Sequence, residues 1–140
     1  MVQVFHHGNR KKEKGLTIVE TVVSLTVITI VSIGALSLAI FASNSRKKAV
    51  ISRYFSNLAD QSLKLYQAYS GSQFQTAFHE LTNQEITYNL DVTYRLNQAY
   101  EFVSSDDYSY TVTYDFEANS LKVTANYKDG SLIVERSTSR

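Results

Sequence analysis

The sequence predicts an α+β fold, in which a long N-terminal helix, membrane-spanning in its first half and amphipathic in its second, packs on a C-terminal antiparallel β-sheet. Residues 16–42 form an apolar run with a single charged residue. Residues 51–69 place apolar or small side chains at alternating spacings of four and three, which is one face of a helix. In residues 86–96, 108–116 and 121–127, apolar and polar residues alternate, as they do in strands with one buried face.

The apolar run reads "LTIVETVVSLTVITIVSIGALSLAIFA" from Leu16 to Ala42. It exceeds the roughly 20 residues that a helix needs to span a bilayer. In lipid only a helix or a closed barrel satisfies the backbone, and one segment cannot close a barrel. A secretory signal peptide has a shorter apolar core and a small-x-small cleavage site, whereas this run ends in "SNSRKK". The run therefore predicts a transmembrane helix.

Glu20 is the only charged residue in this run. A charge inside a membrane helix costs about 2.5 to 3.5 kcal/mol on insertion scales, so the residue is either a defect or a functional group. The plain interpretation is a carboxylate that snorkels to the membrane edge of an ordinary signal anchor.

Charge is distributed unevenly along the chain, although the formal net charge is only +1. Four basic residues and one acidic residue precede Gly15, and three basic residues follow the run at positions 46–48, so charge alone does not orient the helix. Residues 59–140 contain 6 basic and 11 acidic residues, a net charge of −5. Such a surface is a poor partner for nucleic acid, and we expect no direct nucleic-acid contact.

Catalytic and metal-binding residue types are sparse. The chain has no cysteine, and its three histidines are His6, His7 and the isolated His79. No nucleophile, general base or metal-ligand cluster is visible, so we expect no enzyme activity, no metal and no cofactor. Asp106 and Asp107 are an acidic pair that we expect to be solvated in a turn.

The C-terminal part predicts a meander of strands. Period-two alternation runs through "EITYNLDVTYRL", "YSYTVTYDF" and "LKVTANY", and Asp129-Gly130 and "EANS" are turn signals. Closing both turns pairs apolar residues only, which supports one buried face. The amphipathic helix is expected to be the only element that covers that face, with "FQTAFHEL" as a short helical turn before the sheet and Gly71 as the helix stop. The predicted pairs are Tyr127 with Leu132, Ala125 with Val134, Phe116 with Leu121, Tyr114 with Val123, and Val112 with Ala125.

The chain resembles the type IV pilin-like family in the order of its segments. A short basic stretch is followed by the motif "KGLTIVE", a long apolar helix, its amphipathic continuation and a C-terminal sheet. This family includes type IV pilins, pseudopilins of type II secretion and competence pseudopilins. The resemblance implies that a prepilin peptidase cuts between Gly15 and Leu16 and methylates the new amino terminus at Leu16. It also implies that Glu20 acts in subunit assembly, by pairing with the Leu16 amine of a neighbouring subunit.

The resemblance further divides the chain into a leader (residues 1–15), a transmembrane helix (16–43), its amphipathic continuation (44–70) and a small head (71–140). It implies a single-pass cell-membrane protein with a cytoplasmic N-terminus and an extracytoplasmic head, which later joins a filament or reaches the cell surface. The implied partners are the prepilin peptidase, other pilin or pseudopilin subunits, the inner-membrane assembly platform and membrane lipid.

Three features depart from the pattern of the family. Leu16 stands where Phe is usual, the membrane helix has no proline, and the chain lacks the cysteine pair of many pilins. The missing pair favours a pseudopilin, a minor subunit or a lineage that does without the bridge. Together with the short chain and the small head, it favours a minor subunit such as one of a competence apparatus in a Gram-positive cell. The sequence leaves open which machine the chain serves, and it leaves open a binding or sensor module held by an uncleaved anchor.

Overall fold

The structure, a computed structural model, describes residues 17–140. It confirms the α+β fold class, with a long N-terminal helix and an antiparallel sheet of five strands. The predicted cleavage and methylation residues Gly15 and Leu16 lie outside the described residues. The elements are α1 (Ile18–Ala68), α2 (Ser72–Thr82), β1 (Val92–Leu96), β2 (Phe102–Val103), β3 (Tyr110–Glu117), β4 (Ser120–Tyr127) and β5 (Leu132–Ser139).

Two compact units divide the chain after Ser43. The described part of the first unit is the apolar portion of α1, in which every side chain is exposed. Within the described residues, α1 is the one helix that is long and apolar enough to cross a membrane. Four of its hydroxyl groups donate to the carbonyl four residues earlier at 2.8 Å, which satisfies polar groups that lipid could not. These residues are Thr26, Thr29, Ser32 and Ser37.

The second unit, residues 44–140, contains the sheet, in the strand order β2-β1-β3-β4-β5 with antiparallel neighbours throughout. The predicted pairs across β3 and β4 are all observed, and Ala125 lies opposite Val134 across β4 and β5. Because a shift of one residue would turn a whole strand over, this register places one apolar face inward.

Both predicted turns are corrected by one or two residues. Glu117 pairs with Ser120, so the β3–β4 connection has two residues and not four. A bulge between Ala125 and Asn126 places Leu132 opposite Asn126, so the predicted pair of Tyr127 with Leu132 is wrong. The β4–β5 loop is one residue longer than predicted, because the Tyr127 amide donates to the Ser131 carbonyl at 2.9 Å. This loop has three residues and places Gly130 at φ 84°.

The first predicted strand is shorter than its alternation suggests. β1 begins at Val92, whereas the alternation extends back to Ile86. Ile86 is buried without being in a strand, and Asn89 has φ 63°, a left-handed conformation that breaks the extended chain. The short edge strand β2 was not predicted.

The core of the second unit lies between its helices and one face of the sheet. The second half of α1 buries Phe55 and Tyr66, and α2 buries Phe74 and Phe78 completely. The expectation that the amphipathic helix alone covers the sheet is therefore wrong, because the predicted short helical turn is an 11-residue helix that contributes to the core. The buried strand residues of this core are Leu96, Tyr110, Val112, Tyr114, Leu121, Val123, Ala125 and Val134.

Candidate functional site

The candidate site lies at the start of α1, where Glu20 occupies the first helical turn. Thr17 precedes the helix, and its backbone N–H donates to Oε2 of Glu20 at 2.9 Å. The Thr17 hydroxyl also donates to Oε2 at 3.2 Å, and the Glu20 N–H donates to Thr17 Oγ1 at 3.3 Å. These reciprocal bonds form a capping box, in which Thr17, the residue before the helix, and Glu20, its third residue, each accept a hydrogen bond from the other's free backbone N–H.

The capping box gives Glu20 a local structural role that the sequence analysis missed. The available signal was a Thr followed three residues later by Glu, directly before an apolar run. In addition, a carboxylate in the first turn interacts favourably with the partial positive charge of the helix N-terminus. A single capping interaction is worth about 1 kcal/mol, so it offsets part of the cost of a charge in an apolar helix.

The geometry fixes where the carboxylate points. Both hydrogen bonds from Thr17 go to Oε2, so neither of them uses the second oxygen, Oε1. The side chain is exposed and lies against the start of its own helix. Leu16, the predicted amino terminus, immediately precedes Thr17 in the sequence, and Glu20 follows Leu16 by four residues.

Asp106, one of the acidic pair, makes structural contacts in the second unit. Asp106 accepts a hydrogen bond from Arg95 at 2.8 Å and the Lys128 ammonium donates to its carbonyl at 2.9 Å. Both cations lie over the Tyr108 ring, at 5.0 and 4.8 Å from its centre. His79 is exposed on α2. Within residues 17–140, no three His, Asp or Glu side chains are grouped so that they could hold a metal ion.

Burial, and not a functional site, accounts for the tyrosines whose pKa is raised. Burial, together with the nearby Glu85, raises the pKa of Tyr94 to about 12. Burial also raises the pKa of Tyr114, although its hydrogen bond with Ser62 partly opposes the shift. The Tyr94 hydroxyl donates to the Glu85 carbonyl, and Tyr114 lies in the core. These side chains are therefore packing groups whose hydroxyls have partners.

Comparison with known protein families gives a match in the N-terminal part of the chain. The model of the prokaryotic N-terminal methylation motif matches residues 10–36. The match includes the basic stretch, Gly15, Leu16, the capping box and part of the apolar run. No curated protein and no solved structure matches the chain.

Proposed function

The prokaryotic N-terminal methylation motif supports a type IV pilin-like family for this chain, and from it we propose that the protein is a filament subunit. A prepilin peptidase removes residues 1–15 and methylates the new amino terminus, and the mature chain then assembles with other subunits. The single observation that carries the proposal is the motif match over residues 10–36. The long apolar helix and the sheet fit the same class of protein.

In this proposal, Gly15 and Leu16 form the processed peptide bond. Glycine has no Cβ, so a peptidase can close tightly around the backbone at this position. The basic residues before Gly15 hold the bond at the cytoplasmic face of the membrane. After cleavage, Leu16 carries a free amine next to an apolar helix.

Glu20 then neutralises the Leu16 amine of a neighbouring subunit. When one partner of a buried ion pair is lost, the remaining charge costs about 3 to 5 kcal/mol. The capping box supports this role, because it holds the carboxylate at the helix start and leaves Oε1 unused by Thr17. We thus assign Glu20 two functions, capping its own helix and pairing with a neighbour.

The filament belongs to one of three machines: a type IV pilus, a type II secretion pseudopilus or a competence pseudopilus. The partners are the prepilin peptidase, other subunits and the inner-membrane assembly platform. The subunit first spans the cell membrane once, with its N-terminus cytoplasmic and its head (residues 71–140) extracytoplasmic.

Intact-mass analysis of the protein purified from its native membrane tests the processing step. We expect the loss of Met1 to Gly15 and the addition of one methyl group. A Gly15→Val variant is the control, because a branched side chain at the cleavage site should block processing and preserve the leader. A full-length mass for the wild type would contradict the proposal and support an uncleaved anchor that holds a binding or sensor module.

Three substitutions separate the two functions of Glu20. Glu20→Ala removes both the cap and the charge, whereas Glu20→Gln keeps an oxygen that can accept the Thr17 N–H and removes only the charge. Thr17→Val keeps the charge and removes the hydroxyl of the cap, which we expect to cost about 1 kcal/mol.

We expect both Glu20 variants to be inserted in the membrane and processed, but to yield at least tenfold fewer filaments in shear fractions, which corresponds to about 1.4 kcal/mol or more of lost assembly energy. Thr17→Val should assemble nearly as well as the wild type. Wild-type filament yield from Glu20→Gln would show that capping, and not ion pairing, is what assembly requires.

A further inference from the structure

The first four basic residues of α1 after its apolar portion form a basic collar, which we define as Arg46, Lys47, Lys48 and Arg53. All four side chains are exposed. The salt bridges formed within residues 17–140 involve other basic residues, namely Arg95, Lys122 and Arg136. The sequence has no acidic residue between Glu20 and Asp60, so no carboxylate on the neighbouring turns of the helix neutralises the collar.

The collar surrounds much of the helix and does not form one stripe. Successive residues of a helix differ by about 100° in direction, so Arg46, Lys47 and Lys48 point in three directions and Arg53 lies close to the direction of Arg46. Together they cover an arc of about 220°. A single protein partner would contact one side of the helix, whereas a layer that surrounds the helix can contact all four cations.

The position of the collar identifies such a layer. Arg46 follows Ala42, the last residue of the apolar run, by four residues, which is about 6 Å along a helix. The polar headgroup region of a bilayer begins where the hydrocarbon core ends, and Lys and Arg side chains extend toward it with their apolar stems. The collar therefore occupies the part of the helix that emerges into the headgroups on the side of the head.

We propose that the basic collar binds anionic phospholipid headgroups where α1 leaves the membrane, and that this contact holds the subunit in the bilayer. The inference rests on the membrane-spanning role of α1 and is independent of cleavage and filament assembly. Clustered cations next to a membrane helix attract anionic lipid, and the attraction weakens as salt increases. Since a second basic cluster precedes the apolar run, cations flank the span on both sides.

The test uses the full chain reconstituted into vesicles. Because the sequence has no cysteine, Ser43→Cys provides a single site for a fluorescent donor next to the collar. The vesicles contain phosphatidylcholine with about 30 mol% phosphatidylglycerol, and trace amounts of either lipid carry an acceptor on the acyl chain. Energy transfer to each acceptor reports which lipid is enriched around the helix, and resistance to alkaline carbonate extraction reports insertion.

At low ionic strength we expect energy transfer to labelled phosphatidylglycerol to exceed transfer to labelled phosphatidylcholine by about twofold or more. This preference should be lost at about 0.5 M salt. The variant Lys47→Gln/Lys48→Gln should lose most of the preference while it remains inserted. The control Lys64→Gln/Arg136→Gln removes the same charge from exposed positions outside the collar, and it should behave like the wild type.

Equal transfer to both lipids in the wild type would overturn the proposal. So would an equal loss of preference in the control variant, because the effect would then reflect net charge. A third outcome is energy transfer from a donor-labelled copy of the chain to an acceptor-labelled copy, with no preference for either lipid and with loss of this transfer in the collar variant. That result would assign the collar to the acidic surface of a second copy and would also overturn lipid binding.

Discussion

Arg140 joins the end of the chain to the end of α1. Its guanidinium donates to the Tyr66 carbonyl from two nitrogens, at 2.9 and 2.6 Å, and to the Tyr69 carbonyl. The last carbonyls of a helix have no partner within the helix, and a cation near them also interacts favourably with the helix dipole. The same guanidinium lies 4.5 Å from the centre of the Tyr66 ring. One side chain thus caps the helix and covers a core tyrosine.

Replacing Arg140 with Ala should destabilise the second unit by about 1 to 2 kcal/mol, because it removes charged hydrogen bonds and a cation–π contact at a partly exposed site. Arg140→Lys should recover only part of this loss, since one ammonium cannot reproduce the planar contacts of a guanidinium. Urea unfolding of the full chain in detergent, followed by near-ultraviolet circular dichroism of the tyrosines, measures both variants. Equal stability of Arg140→Ala and the wild type would show that water satisfies the carbonyls equally well.

Asp129 and Gly130 together set the turn of the β4–β5 hairpin. The Asp129 carboxylate accepts hydrogen bonds from the Ser131 hydroxyl at 2.6 Å and the Ser131 N–H at 2.8 Å. These bonds hold the pKa of Asp129 below its ordinary value. Gly130, with φ 84°, supplies the left-handed conformation that the three-residue loop needs.

Gly130→Ala should therefore destabilise the second unit by about 1 kcal/mol. An added Cβ at Gly130 meets no atom within 4 Å, so the loss reflects backbone strain and not a clash. Gly34→Ala is the matched control, because its Cβ also meets no atom within 4 Å and its residue is helical. The midpoint of urea unfolding, followed by near-ultraviolet circular dichroism, should fall in Gly130→Ala and stay constant in Gly34→Ala. A constant midpoint in both variants would mean that this turn tolerates a side chain.

The sequence predicted those elements whose pattern comes from burial of a continuous face. The long helix and the register of β3 with β4 follow from apolar spacing, because a slip of one residue would expose the buried face. Local backbone geometry was missed where the pattern is silent. Tyr100, for example, has φ 62° and stacks on Tyr54 at 4.3 Å, a contact between residues 46 positions apart that periodicity does not encode.

The candidate site shows the same division. The charge of Glu20 within the apolar run drew attention to it, and the resemblance to the pilin-like family implied a role in assembly that stays a prediction, but its hydrogen bonds with Thr17 became visible only in three dimensions. Cleavage at Gly15 and methylation of Leu16 remain predictions, since they are chemical events on residues that the structure does not describe. Sequence pattern can locate such a motif, but it does not show how the carboxylate is oriented.

Charge alternates in sign along the whole chain. The residues before Gly15 carry +3, the apolar run carries −1, the basic collar carries +4 and residues 59–140 carry −5. The near-neutral total therefore conceals segments that suit different surroundings. Cations flank the apolar helix on both sides, while the acidic surface belongs to the part that we propose to be extracytoplasmic.

The second unit also has a stability that should depend on alkaline pH, because burial raises the pKa of several of its tyrosines above the ordinary value of 10.0, to about 12 for Tyr94. Below pH 10 these hydroxyls are protonated in both the folded and the unfolded states, so they contribute no pH dependence. Above pH 10 the unfolded chain loses these protons first, and folding then requires protons to be taken up again. Stability should therefore fall as pH rises from about 10 towards 12. The residues concerned are Tyr54, Tyr66, Tyr94, Tyr110 and Tyr114.

Tyr114→Phe separates this effect from the titration of lysines in the same range. The Tyr114 hydroxyl lies 3.2 Å from Ser62 Oγ, and the Ser62 hydroxyl donates to the Leu58 carbonyl at 2.9 Å, so Ser62 keeps a partner in the variant. We expect a loss of about 1 kcal/mol at neutral pH. Above pH 10, Tyr114→Phe should lose stability less steeply than the wild type, because one group that must stay protonated is gone. Urea midpoints measured between pH 7 and about 12 test this, and parallel curves for the two proteins would contradict the assignment, since the buried hydroxyl would then add nothing to the alkaline loss.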